Sequence, residues 1–452
     1  MKDKREEIIK GNIFSLMLKL GIPGIVGMLI ISLYSFVDAI FVGRYSPDGK
    51  LALGAISMAY TFTLINNGIA VLLGIGSASV LSRAIGRKDQ KTIDSIMDNV
   101  LILSILLSLI PTIIGYIFAP YFLTIIGAEG DMHILGTKYL RIVYLASIFV
   151  NFGQASNMVL RGEGKLVIAM IIMCFGAVLN IVLDAVFVIV LKQGLEGAAI
   201  ATVISQVVFA FMSFFYILFA NKSVTFHRFR LEKSIVGETF AIGVSAMFMQ
   251  ILALIQQAVM YSTLKKYGGD EEVVLMGGFF RYMMLAFIPL WGLSQGFQPF
   301  IGTNFGAGLL DRVKKGTFYF YGFGIFLALI AWFAFFISPE GILSLFITDA
   351  ALVAKGKLNA MVAFSIFPVL PILVLNITLF QALGKAKFAG ILAIGRQFIF
   401  FVPACIIISM FLGAKGVWLS MPVVDGVTLI LSMFLVMNIF RKELKSENAI
   451  NA

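Results

Sequence analysis

Charged residues are scarce in this sequence of 452 residues. Asp, Glu, Lys and Arg together make up 13% of it, whereas hydrophobic residues make up 60%. Soluble domains have about 25% charged residues, and few reach the mean hydropathy of +0.98 found here. The apolar runs are long and continuous, without the ten-residue alternation of an outer-membrane barrel. The composition excludes a soluble protein and predicts an all-α polytopic membrane protein.

Residues that carry redox, metal or nucleophilic chemistry are equally few. Cys174 and Cys405 lie far apart in apolar segments, which argues against a disulfide framework and against a thiolate metal site. His133 and His227 are predicted to lie in loops. There is no GxxxxGK[ST] phosphate loop, so we expect no ATP hydrolysis by the chain itself. Without a His or nucleophile cluster in the apolar spans, we predict neither an enzyme nor a bound cofactor.

Hydropathy predicts twelve transmembrane helices, because a span of about twenty apolar residues crosses a bilayer. The predicted spans lie near 13–42, 51–82, 93–118, 135–159, 166–191, 195–220, 235–264, 273–300, 316–337, 357–383, 387–412 and 415–440.

Lys and Arg are concentrated in the connections on one side of these spans. The positive-inside rule places that side, with both termini, in the cytoplasm of a cell inner membrane. The same rule explains the net charge of +11 better than nucleic-acid binding does. The first apolar run lacks a small-residue cleavage site, so we interpret it as a retained span.

A weak internal repeat divides the chain. Ile85-Gly86 matches Phe305-Gly306, and Gly164-Lys165 matches Gly384-Lys385, each 220 positions later. Six spans per repeat imply parallel repeats around an axis along the membrane normal, with a cleft between them as the substrate path. We predict an N-terminal six-helix bundle at 1–220, a cytoplasmic linker at 221–234, a C-terminal bundle at 235–440 and a cytoplasmic tail at 441–452.

Polar side chains inside the first bundle indicate an ion site. Asp38 lies in span 1, Asn180 and Asp184 share one face of span 5, and Thr202 lies in span 6. Intramembrane acids are costly and are functional candidates by default. These oxygen-bearing groups suit Na⁺ or a proton shared between carboxylates. The alternative is that they only join helices by hydrogen bonds.

The repeat restricts this site to the first bundle. The positions equivalent to Asp38, Asn180, Asp184 and Thr202 are Met260, Phe400, Ala404 and Met421. None of these four side chains is a cation ligand of the same kind.

Other polar and soft side chains are candidates for a substrate cavity. Tyr34 shares a helical face with Asp38, and Gln256, Arg281, Met283 and Met284 lie in spans 7 and 8. Arg396 and Asp425 lie at mid-membrane depth, either as a structural ion pair or facing the cavity.

Several short motifs occur together in this chain. They are Pro23 with Asp38-Ala39-Ile40-Phe41-Val42-Gly43, Ala84-Ile85-Gly86-Arg87, Leu160-Arg161-Gly162-Glu163-Gly164, Asn180-Ile181-Val182-Leu183-Asp184 and Gly194-Leu195-Glu196-Gly197-Ala198-Ala199. In this combination the chain resembles the multidrug and toxic compound extrusion (MATE) family of transporters, in its DinF-like and MepA-like bacterial branch.

The resemblance implies export of organic, cationic drugs by a monomer, in exchange for H⁺ or Na⁺ and by alternating access. It also implies a cation site of Asp38, Asn180, Asp184 and Thr202 with the Ala198 carbonyl, and a bend of span 1 near Pro23. A flippase for lipid-linked precursors is the alternative transporter, and a channel is a further one. Oxygen ligands serve both ions, so H⁺ and Na⁺ stay open.

Overall fold

The computed structural model describes residues 2–46 and 49–450, and the side chains of residues 4–46 and 49–441. Most of the predicted tail, 441–452, therefore lies outside the described side chains, and residues 451 and 452 lie outside the described chain. The described residues form helices and connections, with no strand among them. This confirms the predicted all-α class.

The α-helices are α1 Lys2–Lys10, α2 Ile13–Tyr45, α3 Gly49–Arg87, α4 Gln90–Ile110, α5 Tyr116–Ile125, α6 Gly130–Leu145, α7 Ser147–Gly162, α8 Leu166–Asp184, α9 Gly194–Phe215, α10 Lys233–Gly306, α11 Leu310–Ile337, α12 Pro339–Ser344, α13 Ala350–Phe364, α14 Leu370–Ala382, α15 Ala386–Ile394, α16 Phe401–Leu412 and α17 Ala414–Ile450. Wider π-helical segments lie at Pro111–Gly115, Ala185–Val190, Tyr216–Ala220 and Gly395–Phe400, and a 3-10 turn at Phe367–Val369.

Within the described residues, ten helical stretches are long and apolar enough to cross a membrane, or eleven if a bent pair is one span. The bent pair is α6 and α7, which meet at 56°. The 74-residue α10 contains Gly269 at φ 72° and ψ −167°, a conformation open mainly to glycine, so two spans join there. With that division, each predicted span corresponds to a helical stretch of the structure.

Equivalent helices begin 220 positions apart, which agrees with the predicted internal repeat. Gln90 and Leu310 start α4 and α11, and Leu166 and Ala386 start α8 and α15. Gly164 and Gly384, which precede α8 and α15, have φ of 87° and 73°. Glycine reaches this left-handed region without the strain a side chain would add, which explains why the motif repeats.

The chain forms two compact units. The first contains Met1–Glu7 and Val26–Gln250, and the second contains Ile8–Ile25 and Ile251–Ala452. The beginning of α2 thus belongs to the second unit, and the beginning of α10 belongs to the first. The domain limits predicted from the repeat stay a prediction.

Glycines allow the start of α2 to pack closely within the second unit. A Cβ on Gly24 would collide with the backbone carbonyl of Gly292, and a Cβ on Gly292 would collide with the backbone of Ile25. Backbones that approach this closely need glycine on both helices, as in other membrane helix pairs. The first half of α2 is therefore held against the C-terminal part of α10.

The segment between α9 and α10 is hydrogen-bonded to α4 of the first unit. Asp98 of α4 is 2% exposed. Its carboxylate accepts hydrogen bonds from the backbone N–H groups of His227, at 3.0 Å, and Arg228, at 2.9 Å. Asn99 accepts from the backbone N–H of Glu232 at 2.9 Å. The predicted linker is therefore a bound segment of the first unit.

The expected position of one histidine is wrong. His133 lies in the first turn of α6, not in a loop, because that helix begins at Gly130, before the predicted start of the span. Its ring Nε2 lies 2.8 Å from the carbonyl oxygen of Pro120. His227 lies between α9 and α10, as expected.

Candidate ion-coupling site

A small apolar cluster organises one end of the first unit. We call it the apolar cap, and its buried members are Val42, Ala52, Ala55, Val188, Leu195 and Ala198. It brings together α2, α3, α9 and the π-helical segment that follows α8. Since side chains one turn apart share a helical face, the residues one turn from the cap are also brought together.

Three of the predicted ion-site residues lie one helical turn from a member of this cap. Asp38 precedes Val42 by four residues, and Asp184 precedes Val188 by four. Thr202 follows Ala198 by four on α9. Because α9 is span 6, an even-numbered span, it runs in the opposite direction to the odd-numbered spans 1 and 5, which are α2 and α8. Asp38, Asp184 and Thr202 therefore lie at the same depth, on the same side of the cap.

The two acids meet in this layer. Asp184 is 0% exposed, and the carboxyl groups of Asp38 and Asp184 lie within hydrogen-bonding reach of each other. A carboxylate has only acceptor atoms, so two ionised carboxylates at this separation repel each other. They become compatible when a proton or a metal cation lies between them.

Polar atoms around the acids lack partners among the described residues. Neither carboxylate oxygen of Asp184 has a hydrogen-bond partner there, and the same holds for Oδ1 of Asp38 and for both amide atoms of Asn180. Asn180 is 2% exposed. Buried polar groups are normally hydrogen-bonded, and each exception needs an explanation. Asn180 and Asp184 are one turn apart on α8, so unpartnered polar atoms lie on the same helix face as the acid that meets Asp38. Their role as an ion-binding site stays a prediction.

Thr202 and the Ala198 carbonyl complete the predicted ion set on α9. Ala198 is 1% exposed within the apolar cap, and Thr202 is partly buried. The backbone carbonyl of Thr202 accepts the Ser205 hydroxyl at 2.8 Å. The structure describes their position in the layer, and their role as ligands stays a prediction.

Two tyrosines flank the acids. Tyr34 and Tyr139 both interact electrostatically with Asp38 and with Asp184. Tyr34 was predicted from its spacing to Asp38, whereas Tyr139 was missed. The chain has 13 Tyr, and tyrosine is common near the ends of membrane spans, so no local pattern distinguishes Tyr139. Its contact with the apolar cap is visible only in three dimensions.

The other predicted cavity residues lie on the part of α10 that belongs to the second unit. Gln256 is partly buried and Arg281 is exposed. Met283 is 7% exposed in the core of the second unit, whereas its neighbour Met284 is 54% exposed. Tyr261 interacts with Gln257 and Arg281. Their assignment to a substrate cavity stays a prediction.

The positions equivalent to the ion site are apolar in the second unit. Met260 and Met421 are buried in its main core cluster, and Phe400 and Ala404 pack against the same cluster. The mid-membrane charges of this unit form an ion pair instead. Arg396 Nε donates to Asp425 Oδ1 at 2.6 Å, and a second guanidinium nitrogen donates to Oδ2 at 3.3 Å. The structural ion pair is thus the arrangement found.

Pro23 lies inside α2, two residues before the boundary between the compact units at Ile25 and Val26. Proline lacks a backbone N–H, so α2 loses one hydrogen bond at this point. The helix continues through the proline as far as Tyr45. The turn of α2 that lacks a hydrogen bond therefore lies next to the boundary between the two units, at Ile25 and Val26. A hinge at Pro23 stays a prediction.

A family model described as MatE matches residues 23–186 and, a second time, residues 245–407. One match falls in each repeat. MepA, a multidrug export protein of Staphylococcus aureus, is 28% identical to this chain over 433 residues, and the alignment covers 94% of both. The Staphylococcus haemolyticus MepA is 25% identical over 437 residues, with 94% of both chains covered.

Solved structures show the same fold. A crystal structure of MATE in the bent conformation superposes with a TM-score of 0.91 at 23% identity, covering 98% of both chains. The outward-facing conformation of a multidrug resistance MATE family transporter superposes with a TM-score of 0.88 at 24% identity, covering 97% of this chain and 98% of the other. With the family model matched over more than half of the sequence, the chain belongs to the MatE family.

Proposed function

We propose that this chain is a secondary active multidrug exporter that moves small organic cations out of the cell in exchange for H⁺ or Na⁺. The observation that carries the proposal is the contact between the half-buried Asp38 and the buried Asp184, two acids with unpartnered oxygens. The similarity to MepA, named as a multidrug export protein, supports the substrate class.

The acid pair supplies the coupling. Two like charges 4 Å apart repel by about 4 kcal/mol at an effective dielectric constant of 20. A proton between Asp38 and Asp184 removes this repulsion without further ligands. Na⁺ would use both carboxylates and the oxygens of Asn180, Thr202 and the Ala198 backbone. In either case the bound ion removes the repulsion between the two acids. The packing of α2 against α8 is then more stable than it is with the site empty and charged.

The position of Asp38 on α2 links the charge of the site to conformation. Asp38 lies in the first unit, whereas the start of α2, before Pro23, is packed in the second. Ion binding at Asp38 therefore changes the interactions of α2, the helix that has residues in both units. The turn at Pro23, which lacks one backbone hydrogen bond, is where α2 bends most easily. A ligand shifts conformational states only through its different affinities for them. Ion and drug must accordingly stabilise different states in an alternating-access cycle.

Tyr34 connects the ion site with the drug. Its ring lies close to both acids, and aromatic rings together with carboxylates attract organic cations. When H⁺ or Na⁺ neutralises the acids, this attraction weakens and the drug is released. Within the second unit, Gln256, Arg281, Met283 and Met284 stay the candidates for drug binding.

The flippase alternative receives no support from the buried charges. A pyrophosphate headgroup would need uncompensated cationic side chains, but Arg396 is neutralised by Asp425. We further propose a monomer of the cell inner membrane with both termini in the cytoplasm, as the distribution of Lys and Arg predicts.

The test is drug transport by the purified chain in proteoliposomes, driven first by a pH gradient and then by a Na⁺ gradient. We expect one gradient to drive drug accumulation and Asp38→Asn to reduce it by about 5- to 150-fold, the usual range of coupling between two ligands. Asp131→Asn, at an exposed acid in α6, is the matched control and should transport normally. Full transport by Asp38→Asn, or transport that needs neither gradient, would overturn the proposal.

A further inference from the structure

An open groove runs along the surface of the second unit, between the beginning of α2 and the first half of α11. Its volume is about 500 Å³, which is within the range of specific ligand sites. The groove is lined by Phe14, Met17, Phe318, Tyr319, Gly322, Phe323 and Phe326. Its lining is thus almost entirely aromatic and apolar.

Contacts at one end of the groove hold its two walls together. The guanidinium of Arg312, in the first turn of α11, donates to the backbone carbonyl of Ile8 at 3.0 Å and also to that of Gly11. Further along, the Phe14 and Tyr319 ring centroids are 6.5 Å apart. The junction of α1 and α2 is therefore fixed beside α11, and the groove is a built feature of this surface.

Gly322 forms the floor of the groove. It is exposed, and a Cβ at this position would meet no other atom within 4 Å. Glycine in the middle of a helix is less favourable than alanine, yet here no close backbone approach requires it. What glycine provides at this position is space in the groove.

The equivalent surface of the first repeat is different. Phe318 and Tyr319 correspond to Asp98 and Asn99, 220 positions earlier. Asp98 and Asn99 bind the segment between α9 and α10, and that segment covers α4 there. In the second repeat the same face of α11 is aromatic and open, with Phe318 57% and Tyr319 48% exposed. The polar tail sequence after Arg441 does not suit an aromatic lining.

Basic side chains lie at the end of the groove where α11 begins. Lys314 and Lys315 are exposed, and each precedes an aromatic groove residue by four positions, Phe318 and Tyr319, so each shares its helical face. Asp311 is the one exposed acid in the same turn, and Arg312 adds a further positive charge. Basic clusters beside membrane helices recognise anionic lipid headgroups.

We propose that this groove binds an anionic phospholipid, with one acyl chain along Phe14, Gly322 and Phe326 and its phosphate on Lys314 and Lys315. The aromatic lining suits an apolar acyl chain, and Lys314 and Lys315 favour a negatively charged headgroup. An ordinary lipid-facing surface would show no preference for headgroup and no dependence on Gly322. The site is separate from the acid pair, and its existence does not depend on the proposed transport activity.

The experiment measures lipid retention by the full chain in detergent, using native mass spectrometry with phosphatidylglycerol and phosphatidylcholine of identical acyl chains. We expect phosphatidylglycerol to bind about 10- to 30-fold better, the contribution of two lysines near a membrane surface. The double variant Lys314→Gln with Lys315→Gln should abolish this preference. Equal binding of the two lipids by the unaltered chain would overturn the proposal.

Gly322→Leu tests the groove itself, because a Cβ at this position meets no other atom within 4 Å and the rest of the side chain takes up groove space. It should reduce phosphatidylglycerol binding at least about tenfold, to the level of general lipid contact. Gly237→Leu is the matched control, since a Cβ at exposed Gly237 also meets nothing within 4 Å. Equal binding by the two leucine variants would refute the site. The site would also be refuted if lipid bound only to a variant that lacks residues 442–452. The tail would then be the natural occupant of the groove in the full chain.

Discussion

The two repeats share the same order of helices but differ in whether their intramembrane acids have a basic partner. In the first repeat, Asp38 and Asp184 face each other with oxygens that lack partners among the described residues. In the second, the equivalent positions are apolar, and Asp425 is matched by Arg396. Under the proposed mechanism, ion binding changes the charge of the acid pair in the first repeat, whereas the charge of Asp425 is already balanced by Arg396. The proposal thus contrasts an acid pair that binds an ion with an acid that forms an ion pair.

The largest expected effect is at Asp184. Asp184→Asn keeps the shape of the side chain but removes one of two repelling charges. We expect drug transport in proteoliposomes to fall about 5- to 150-fold, while the thermal unfolding midpoint stays the same or rises. The midpoint should not fall because a buried, unpaired charge is costly to fold. A strongly lowered midpoint would mean that Asp184 is a structural acid, and the contrast between the repeats would then fail.

The reverse result is expected at Asp425. Asp425→Ala leaves the half-buried Arg396 without its partner, and breaking a fully buried pair usually costs about 3–5 kcal/mol, which is the upper limit here. We expect a lower free energy of unfolding, measured by denaturant titration of the chain in detergent micelles.

The double variant Arg396→Met with Asp425→Leu is the control for Asp425→Ala, because it removes both charges and fills the space with apolar side chains. It should recover most of the lost stability, since replacing a buried pair by apolar residues is often neutral. If the double variant is stable but cannot transport drug, the pair also has a role in the transport cycle.

Hydropathy and the repeat were enough to predict the helical class and every span, because apolar runs in a membrane must be helical. Asp38, Asn180 and Asp184 were recognisable because polar residues stand out in apolar runs. The sequence does not decide between pairing of Arg396 with Asp425 and a cavity-facing position, and Arg396 lies in the π-helical segment Gly395–Phe400, where side-chain directions differ from those of an α-helix. That local widening has no clear sequence signal.

The binding of the linker to α4 was also beyond sequence reasoning. A polar segment such as 221–234 has the composition of a flexible connection, and its hydrogen bonds to Asp98 and Asn99 depend on the tertiary fold. Tyr139 was missed for the same reason, since its neighbours Asp38 and Asp184 are distant in sequence. Membrane burial thus makes charges easy to locate, but side-chain orientation and long-range partners need the structure.

A moderate effect is expected where the linker meets the first repeat. Asp98→Ala removes the charged acceptor for the backbone N–H groups of His227 and Arg228, and hydrogen bonds to charged groups contribute about 1.5–3 kcal/mol. We expect faster cleavage of the segment 221–234 in limited proteolysis and a lower unfolding midpoint. Asp94→Ala is the matched control, because the Asp94 carboxylate accepts a hydrogen bond from the Gln90 side chain of the same helix at 2.6 Å. Equal cleavage rates in the two variants would show that Asp98 does not hold the linker.

The smallest expected effect is at Tyr139, and it tests how far the ion site extends beyond the predicted residues. Tyr139 interacts electrostatically with both acids, and we expect its polar hydroxyl to favour their charged, empty state. Tyr139→Phe should weaken that state, so half-maximal transport should need about 2- to 10-fold less H⁺ or Na⁺, a change no larger than the loss of one polar contact. Tyr144→Phe is the control on the same helix, because its hydroxyl donates to the Phe62 carbonyl at 3.1 Å instead. A shift of the same size in Tyr144→Phe would indicate a general loosening of α6, and no shift in Tyr139→Phe would confine the ion site to α2, α8 and α9.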